Sequence, residues 1–245
     1  MTVEGLGEGA GLRMWRADYA NASRYNHSEY RHGLILSKVT NATVANIEIS
    51  ELGGDGIYLR WIANVVLRGI TTDGAYRNGL SVIGATDLQV LSSSFLRTGN
   101  TGRLNGGETL TPMNGGTAPR AGVDLEPNGA SEALLNVTFR DCVASGNVGN
   151  AWDVSTDTNH TILFERRVAK DCGGGFFLPL MPSGFCSGFN FQNEIGATPV
   201  IAGTPSCSRS DPLYGPVSQV HFRGHVSRAA LGGPTAPSLV WVRLN

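Results

Sequence analysis

An all-β solenoid is the fold class that this 245-residue sequence predicts, and three observations predict it. The first is a phased repeat. Short apolar strands begin with glycine at positions 33 (GLILS), 56 (GIYLR), 79 (GLSVI), 122 (GVDLE) and 175 (GFFLP), with AWDVS from Ala151 as a near-match. The first two steps are 23 residues each, and the next are 43, 29 and 24. The second is a set of further apolar strands between those starts: ATVANIEIS, ANVVLRGIT, TDLQVLSSSF, EALLNVTFRD and TILFERRV. The third is that no long segment carries the 3.6-residue period of a helix. Coils of this length cannot bury an apolar face alone, so they stack on a shared core. A β-sandwich also has many short strands, but it has no reason to repeat Gly-Ile/Leu/Val at one phase of a coil-length period.

Each segment follows from that pattern. Residues 1–32 include MWRADYANASRYNHSEYR, too aromatic for a disordered tail, and are expected to form an incomplete first coil and its cap. Residues 33–182 carry the regular coils, roughly six to eight in the whole chain. They are interrupted at 97–121 by the Gly/Thr/Asn-rich insertion RTGNTGRLNGGETLTPMNGGTAPRA. Insertions in solenoids emerge as loops on one face, often the binding face. This one ends at the strand GVDLE and is expected to wall a groove there, with Arg103, Glu108 and Arg120 as contacts. Residues 183–245 read as an irregular loop and a C-terminal coil or cap, whose last strand SLVWVRLN covers the open edge. The whole is one domain.

Composition narrows the function classes. Charged residues are 16% and the net charge is −1, which excludes a nucleic-acid binder of the basic type. No apolar run is long enough to span a membrane. Only Lys38 and Lys170 are lysines among 19 basic residues, and the arginine fork suits carboxylate, sulfate or phosphate. The start MTVEGLGEGA shows no signal segment. Sequons at Asn21, Asn26, Asn41, Asn136 and Asn159, and four cysteines, nevertheless lean toward a secreted protein. Cys142 and Cys172 both follow Asp and are expected to stack on neighbouring coils, as a disulfide or as two buried thiols. Cys186–Cys207 is the preferred bridge. No Cys/His spacing reads as a zinc site.

With each repeated glycine as position zero, Leu34, Ile57, Leu80, Val123, Trp152 and Phe176 follow it by one residue, facing the core. Leu36, Leu59, Val82, Leu125, Val154 and Leu178 do the same at position three. The outward phases gather Arg31, His32, Asp55, Tyr58, Arg60, Arg77, Asn78, Arg120, Asp124, Glu126 and Asp153 on one strip of one sheet, with Tyr58 and Phe177 at its margins. Carboxylates offer acid and base, arginines bind anionic substituents, and aromatic faces carry sugar rings. A bland alternative is a row of salt bridges, with Asn78 and Asn150 as turn residues. The acidic column favours function, because like charges on adjacent strands destabilise a sheet without a use. Trp61 beside Arg60 is either a sugar platform or a core residue, the latter slightly preferred.

The motifs HGLIL, GGDGIYL, YRNGLSV and APRAGVDLEPN resemble those of the right-handed parallel β-helix, or pectin-lyase-like, superfamily, over about residues 30–180. That resemblance implies a right-handed parallel β-helix acting on polysaccharide, and the superfamily includes hydrolases, lyases, epimerases, phage tailspikes and adhesins. The first expectation is a glycoside hydrolase with Asp124, Glu126, Asp153 and Asp55 as catalytic carboxyls. Its substrate-binding residues are Arg31, His32, Tyr58, Arg60, Arg77, Asn78 and Arg120. Asp55 in GGDG is similar to the Asp-Gly of polygalacturonases, whose Gly-His-Gly and Arg-Ile-Lys elements are absent here. The second is a lyase or uronate C5-epimerase, in which Asp124, Glu126 and Asp153 hold Ca²⁺ and an arginine, His32 or Tyr58 is the base. The hydrolase needs no cofactor. The third is a glycan-binding or tailspike-like β-helix without catalysis.

Overall fold

The computed structural model describes residues 1–6, 10–14, 30–99, 116–129, 131–154, 160–170, 172, 174–178, 188–192, 195–196, 199–201, 221–223 and 226–227. Three parallel sheets run the length of these residues. The first contains Thr2–Glu4, Thr40–Ala45, Ile62–Arg68, Ala85–Leu91, Leu134–Arg140, His160–Glu165, Gly188–Gln192 and His221–Arg223. The second contains Gly11–Arg13, Glu48–Ser50, Thr71–Asp73, Ser94–Leu96, Val143–Ser145, Val168–Lys170, Ile195–Gly196 and Val226–Ser227. The third contains Leu34–Ser37, Ile57–Arg60, Leu80–Val82, Val123–Leu125, Asn150–Val154, Gly174–Leu178 and Pro199–Ile201. The chain passes from third to first to second sheet in each coil, so the fold is an all-β parallel solenoid.

The corners explain why the period survives in the sequence. Two of the three corners place a residue in the left-handed region coil after coil, and these residues stack. Asn46, Gly69, Ser92, Asp141 and Arg166 form one such column, and Glu51, Gly74, Arg97 and Gly146 another, all with φ between 46° and 68°. A third column, Asn41, Asn64, Asp87 and Asn136, sits within the first sheet and is tied by Asn64 Nδ2 donating to Asn41 Oδ1 at 2.7 Å. Asn and Asp reach this region at small cost because their side chains bond locally.

The core is the sum of inward ladders. Ile57, Leu80 and Val123 pair in register with Trp152, and all four are buried. Trp152 packs edge-on to Phe95, Phe139 and Phe164. Arg167 is buried too, with its guanidinium 4.4 Å from the Trp152 ring and 3.9 Å from that of Phe164. Nothing in its local sequence, ERRV, distinguishes it from the exposed Arg166.

The cysteines depart from expectation. Val143 pairs with Val168, so Cys142 stacks on Arg167 and not on Cys172. Cys172 is one corner further on, where Asn147 Nδ2 donates to its Sγ at 3.5 Å. The shared Asp-Cys context misleads because one Asp-Cys precedes a strand of the second sheet and the other follows one. Neither is in a disulfide. Burial pushes the Cys142 thiol up to about 11. Iodoacetamide is therefore expected to label Cys172 in the folded protein and Cys142 only after unfolding, as read by peptide mass. Early labelling of Cys142 would contradict its place in the core. Cys186 and Cys207 lie outside the described residues.

Candidate functional site

The outward column of the third sheet aligns as Ile35, Tyr58, Ser81, Asp124 and Asp153, strand by strand, with Phe177 next in backbone register. Side chains at one phase of a parallel sheet lie about 4.8 Å from their neighbours. Ser81, Asp124 and Asp153 nevertheless leave almost no surface to solvent. Outward from the core is not the same as exposed here: Arg77 lies against the acids of the column and Asn78 is bonded beneath them.

Asn78 organises it. The side chain is fully buried and all its bonding groups are used. Its Oδ1 accepts from Ala121 N at 3.0 Å, which fixes the amide orientation. Its Nδ2 then donates to Ser81 Oγ at 3.1 Å and to Asp124 Oδ2 at 2.9 Å. An oxygen that accepts from Asn78 leaves the other, Oδ1, to carry a proton when Asp124 is neutral. Ser81, already accepting, has its own hydrogen for Asp55, whose Oδ1 also accepts from Asn78 N at 3.0 Å. Asn78 therefore sits under the strip, its side chain committed to this network. Asn78→Ala would strand Ala121 N–H and both partners at once. We expect a loss of about 2 kcal/mol or more in urea denaturation, and an unchanged midpoint would refute this network.

Arg77 sits among the acids. Its Nη2 donates to Glu126 Oε2 at 2.9 Å and lies 4.0 Å from Asp124 Oδ2, while Nη1 reaches Asp55 Oδ2 at 3.5 Å. Burial works against its charge, but Asp55, Glu126 and Asp124 outweigh that and hold it cationic. One guanidinium cannot neutralise every carboxyl around it. Burial, and then the charges of Glu126 and Asp153, raise the Asp124 carboxyl well above its ordinary range. Asp55 is pushed up to about 6, burial outweighing Arg77 and its hydrogen bonds. Asp153 accepts from Asn150 Nδ2 at 3.0 Å. Glu126 is the carboxylate with solvent access, its side chain 33% exposed.

His32 joins the cluster as a neutral ring. Burial and the neighbouring Arg77 hold it down to about 4. Its Nδ1 accepts from Asp55 N at 3.0 Å, so the ring proton resides on Nε2 and the 3.4 Å approach to Asp55 Oδ2 is not an ion pair. Tyr58 stacks on it at 4.7 Å, and burial raises the phenol.

Three expected members stand elsewhere. Arg31 is in an antiparallel bridge with Gly53, part of a two-stranded sheet separate from the third. Arg120 adopts φ 57° and lays its side chain over Gly99, where a Cβ would meet its Cβ, Cγ and Cδ at 2.6–2.7 Å. The positive φ turns it away from the carboxylates just downstream. Arg60 is not in the acid cluster either; it pairs with Glu132, which the sequence reading passed over. Glu132 lies in an unremarkable turn, SEALL, and only the coil stacking brings it to Arg60 across 72 residues. Trp61 is not in the core but 39% exposed. Arg103 and Glu108 lie outside the described residues. Among the described residues no three His, Cys, Asp or Glu side chains converge in a metal-holding arrangement, so Asp124, Glu126 and Asp153 do not make one.

Comparison with known proteins agrees with this architecture. An uncharacterized protein, YclG, of Bacillus subtilis (strain 168) is 24% identical over 164 residues, 58% of this chain and 26% of that relative. This chain thus spans about a quarter of the relative's length. No solved structure gives a significant match. The family model described as the right handed beta helix region matches residues 19–168, more than half of the chain. With its three parallel sheets and stacked corners, this chain belongs to the right-handed β-helix family.

Proposed function

We propose that the chain is a polysaccharide-active β-helix, a glycoside hydrolase that works outside the cell with a carboxyl pair on the third sheet. The observation that carries this reading is the pairing of Asp124, a buried carboxyl raised well above its usual range, with Glu126, a partly exposed carboxylate held by Arg77. Hydrolysis needs one protonated and one ionised carboxyl flanking the bond. The two residues are separated by one position on a strand, about 7 Å at the Cα atoms. Asp124 protonates the glycosidic oxygen from Oδ1, and Glu126 faces the anomeric carbon or the attacking water. Burial sets a condition: the leaving oxygen reaches Asp124 only past Arg77, which must shift as the glycan docks. Asp55 and Asp153 act on Asp124 through charge.

Elimination or epimerisation has less support, because the proposed bases are poorly prepared. His32 has Nδ1 engaged and Nε2 protonated, Tyr58 is raised, and Arg77 is held in its charged form. A panel of neutral, uronic and sulfated polysaccharides, each with Ca²⁺ or EDTA, tests the reading. New reducing ends without ultraviolet-absorbing unsaturated product are expected. A Ca²⁺-dependent unsaturated product would replace hydrolysis by elimination, and glycan binding without turnover would leave a binding protein.

A further inference from the structure

The corner where the third sheet turns into the first is built unlike its neighbours. Trp61 holds φ 53° there, a conformation that costs a bulky L residue about 1–2 kcal/mol. Lys38 stands at the same corner one coil before, at φ 56°, and Gly84 one coil after. A Cβ on Gly84 would come within 3.3 Å of Trp61 Cδ1, so the glycine leaves space for the indole. The ring is nevertheless 39% exposed. The backbone conformation belongs to the corner, since Lys38 shares it; a cleared space that ends in an exposed tryptophan is what packing does not explain.

Two cations share that ring. The Arg60 guanidinium carbon is 3.9 Å and Lys38 Nζ 5.2 Å from its centroid. Arg60 is fixed from the other side by the buried Glu132, whose Oε1 accepts from Nε at 3.0 Å and lies 3.0 Å from Nη2. Glu132 Oε2 accepts from Asn128 N at 2.7 Å, so the carboxylate is anchored in turn. Of the five guanidinium N–H groups, three have no partner among the described residues, and the Lys38 ammonium has only the ring. The geometry points to a binding subsite for an acidic sugar unit, its carboxylate or sulfate taken between Arg60 and Lys38, with Glu132 as the positioning residue. Arg60 shares its outward phase with Glu126, two strands away, roughly 10 Å. The acidic unit therefore sits near the bond to be cleaved, and the inference rests on the hydrolase reading for that relation.

Titration calorimetry of the full chain with polygalacturonate, dextran sulfate and dextran tests it. One polyanion is expected to bind, and which one identifies carboxylate or sulfate. Lys38→Ala and Arg60→Gln should each weaken that binding about tenfold or more. Glu132→Gln should weaken it as well, because it loosens Arg60 without removing its charge. Arg68→Gln, an equal charge loss on the exposed side of the first sheet, should change it less than about twofold. An equal loss with Arg68→Gln, unchanged binding in Glu132→Gln, or no binding to either polyanion overturns the subsite. Reducing-end release is scored separately. Cleavage of a neutral glycan with no polyanion binding removes the subsite and keeps the hydrolase. Polyanion binding lost in the corner variants, with no cleavage of any polymer, keeps the subsite and removes the hydrolase.

Discussion

Asp124→Asn is expected to lower turnover by about 10²–10⁴-fold while leaving the fold intact. The asparagine has nearly the shape of a neutral aspartic acid. Its Oδ1 can accept from Asn78 Nδ2 as Asp124 Oδ2 does at 2.9 Å, and its amide hydrogens replace the carboxyl proton. What disappears is the transferable proton. The same variant should report the protonation state through stability. The folded carboxyl binds its proton more tightly than the unfolded one, because burial and the charges of Glu126 and Asp153 oppose ionisation. Wild-type stability from this group is complete below the unfolded pKa, about 4, and is lost as pH rises through the folded value. Asp124→Asn has no such loss, so its stability relative to wild type should grow as pH rises above 4.

Two neighbouring groups titrate in the same range. Asp55, raised to about 6, loses stability as pH rises between about 4 and 6. His32, lowered to about 4, does the reverse: its contribution is present above 6.5 and lost as pH falls to 4. The two slopes oppose each other over nearly the same window, and loss of the Asp124 charge in the variant eases ionisation of Asp55, so the difference reports the coupled acids together. Urea midpoints at several pH values measure it. A constant difference between variant and wild type would mean that folding does not raise the Asp124 carboxyl, which is then ionised at neutral pH and is no general acid.

Gly79→Ala should cost about 3 kcal/mol or more. Its Cβ would lie 2.5 Å from Gly122 O. That oxygen is not free to move, since Leu80 N donates to it at 3.0 Å in the ladder. The same relation holds one coil earlier, where a Cβ on Gly56 would lie 2.3 Å from Gly79 O, the acceptor for Ile57 N. The column carries a methyl only at Ala151, where the strand begins one residue earlier, at Asn150. Gly129→Ala is the control, with nothing within 4 Å of the added carbon. Comparable urea midpoints for the two variants would show that the coils can separate and that the repeated glycine has another cause.

That glycine column is also why so much of the architecture is legible from residue order. A coil that must place a bare Cα against the next coil's carbonyl, and a left-handed residue at two of its corners, writes the same constraint every 23 residues or so. Inward and outward phases follow from the two-residue period, and Tyr58, Ser81, Asp124 and Asp153 fall in one column by counting alone. Burial within that column is a different matter. Whether Asp124 faces water depends on how Arg77 and Asn78, forty-odd residues upstream, lie against it, and no local pattern encodes that. Arg120 turns away because one backbone angle is positive, and Arg60 finds Glu132 because the chain returns to the same corner after a long excursion. Periodicity records repeated backbone constraints; side-chain partners across coils, and the proton affinities they create, arise only when the stack is assembled.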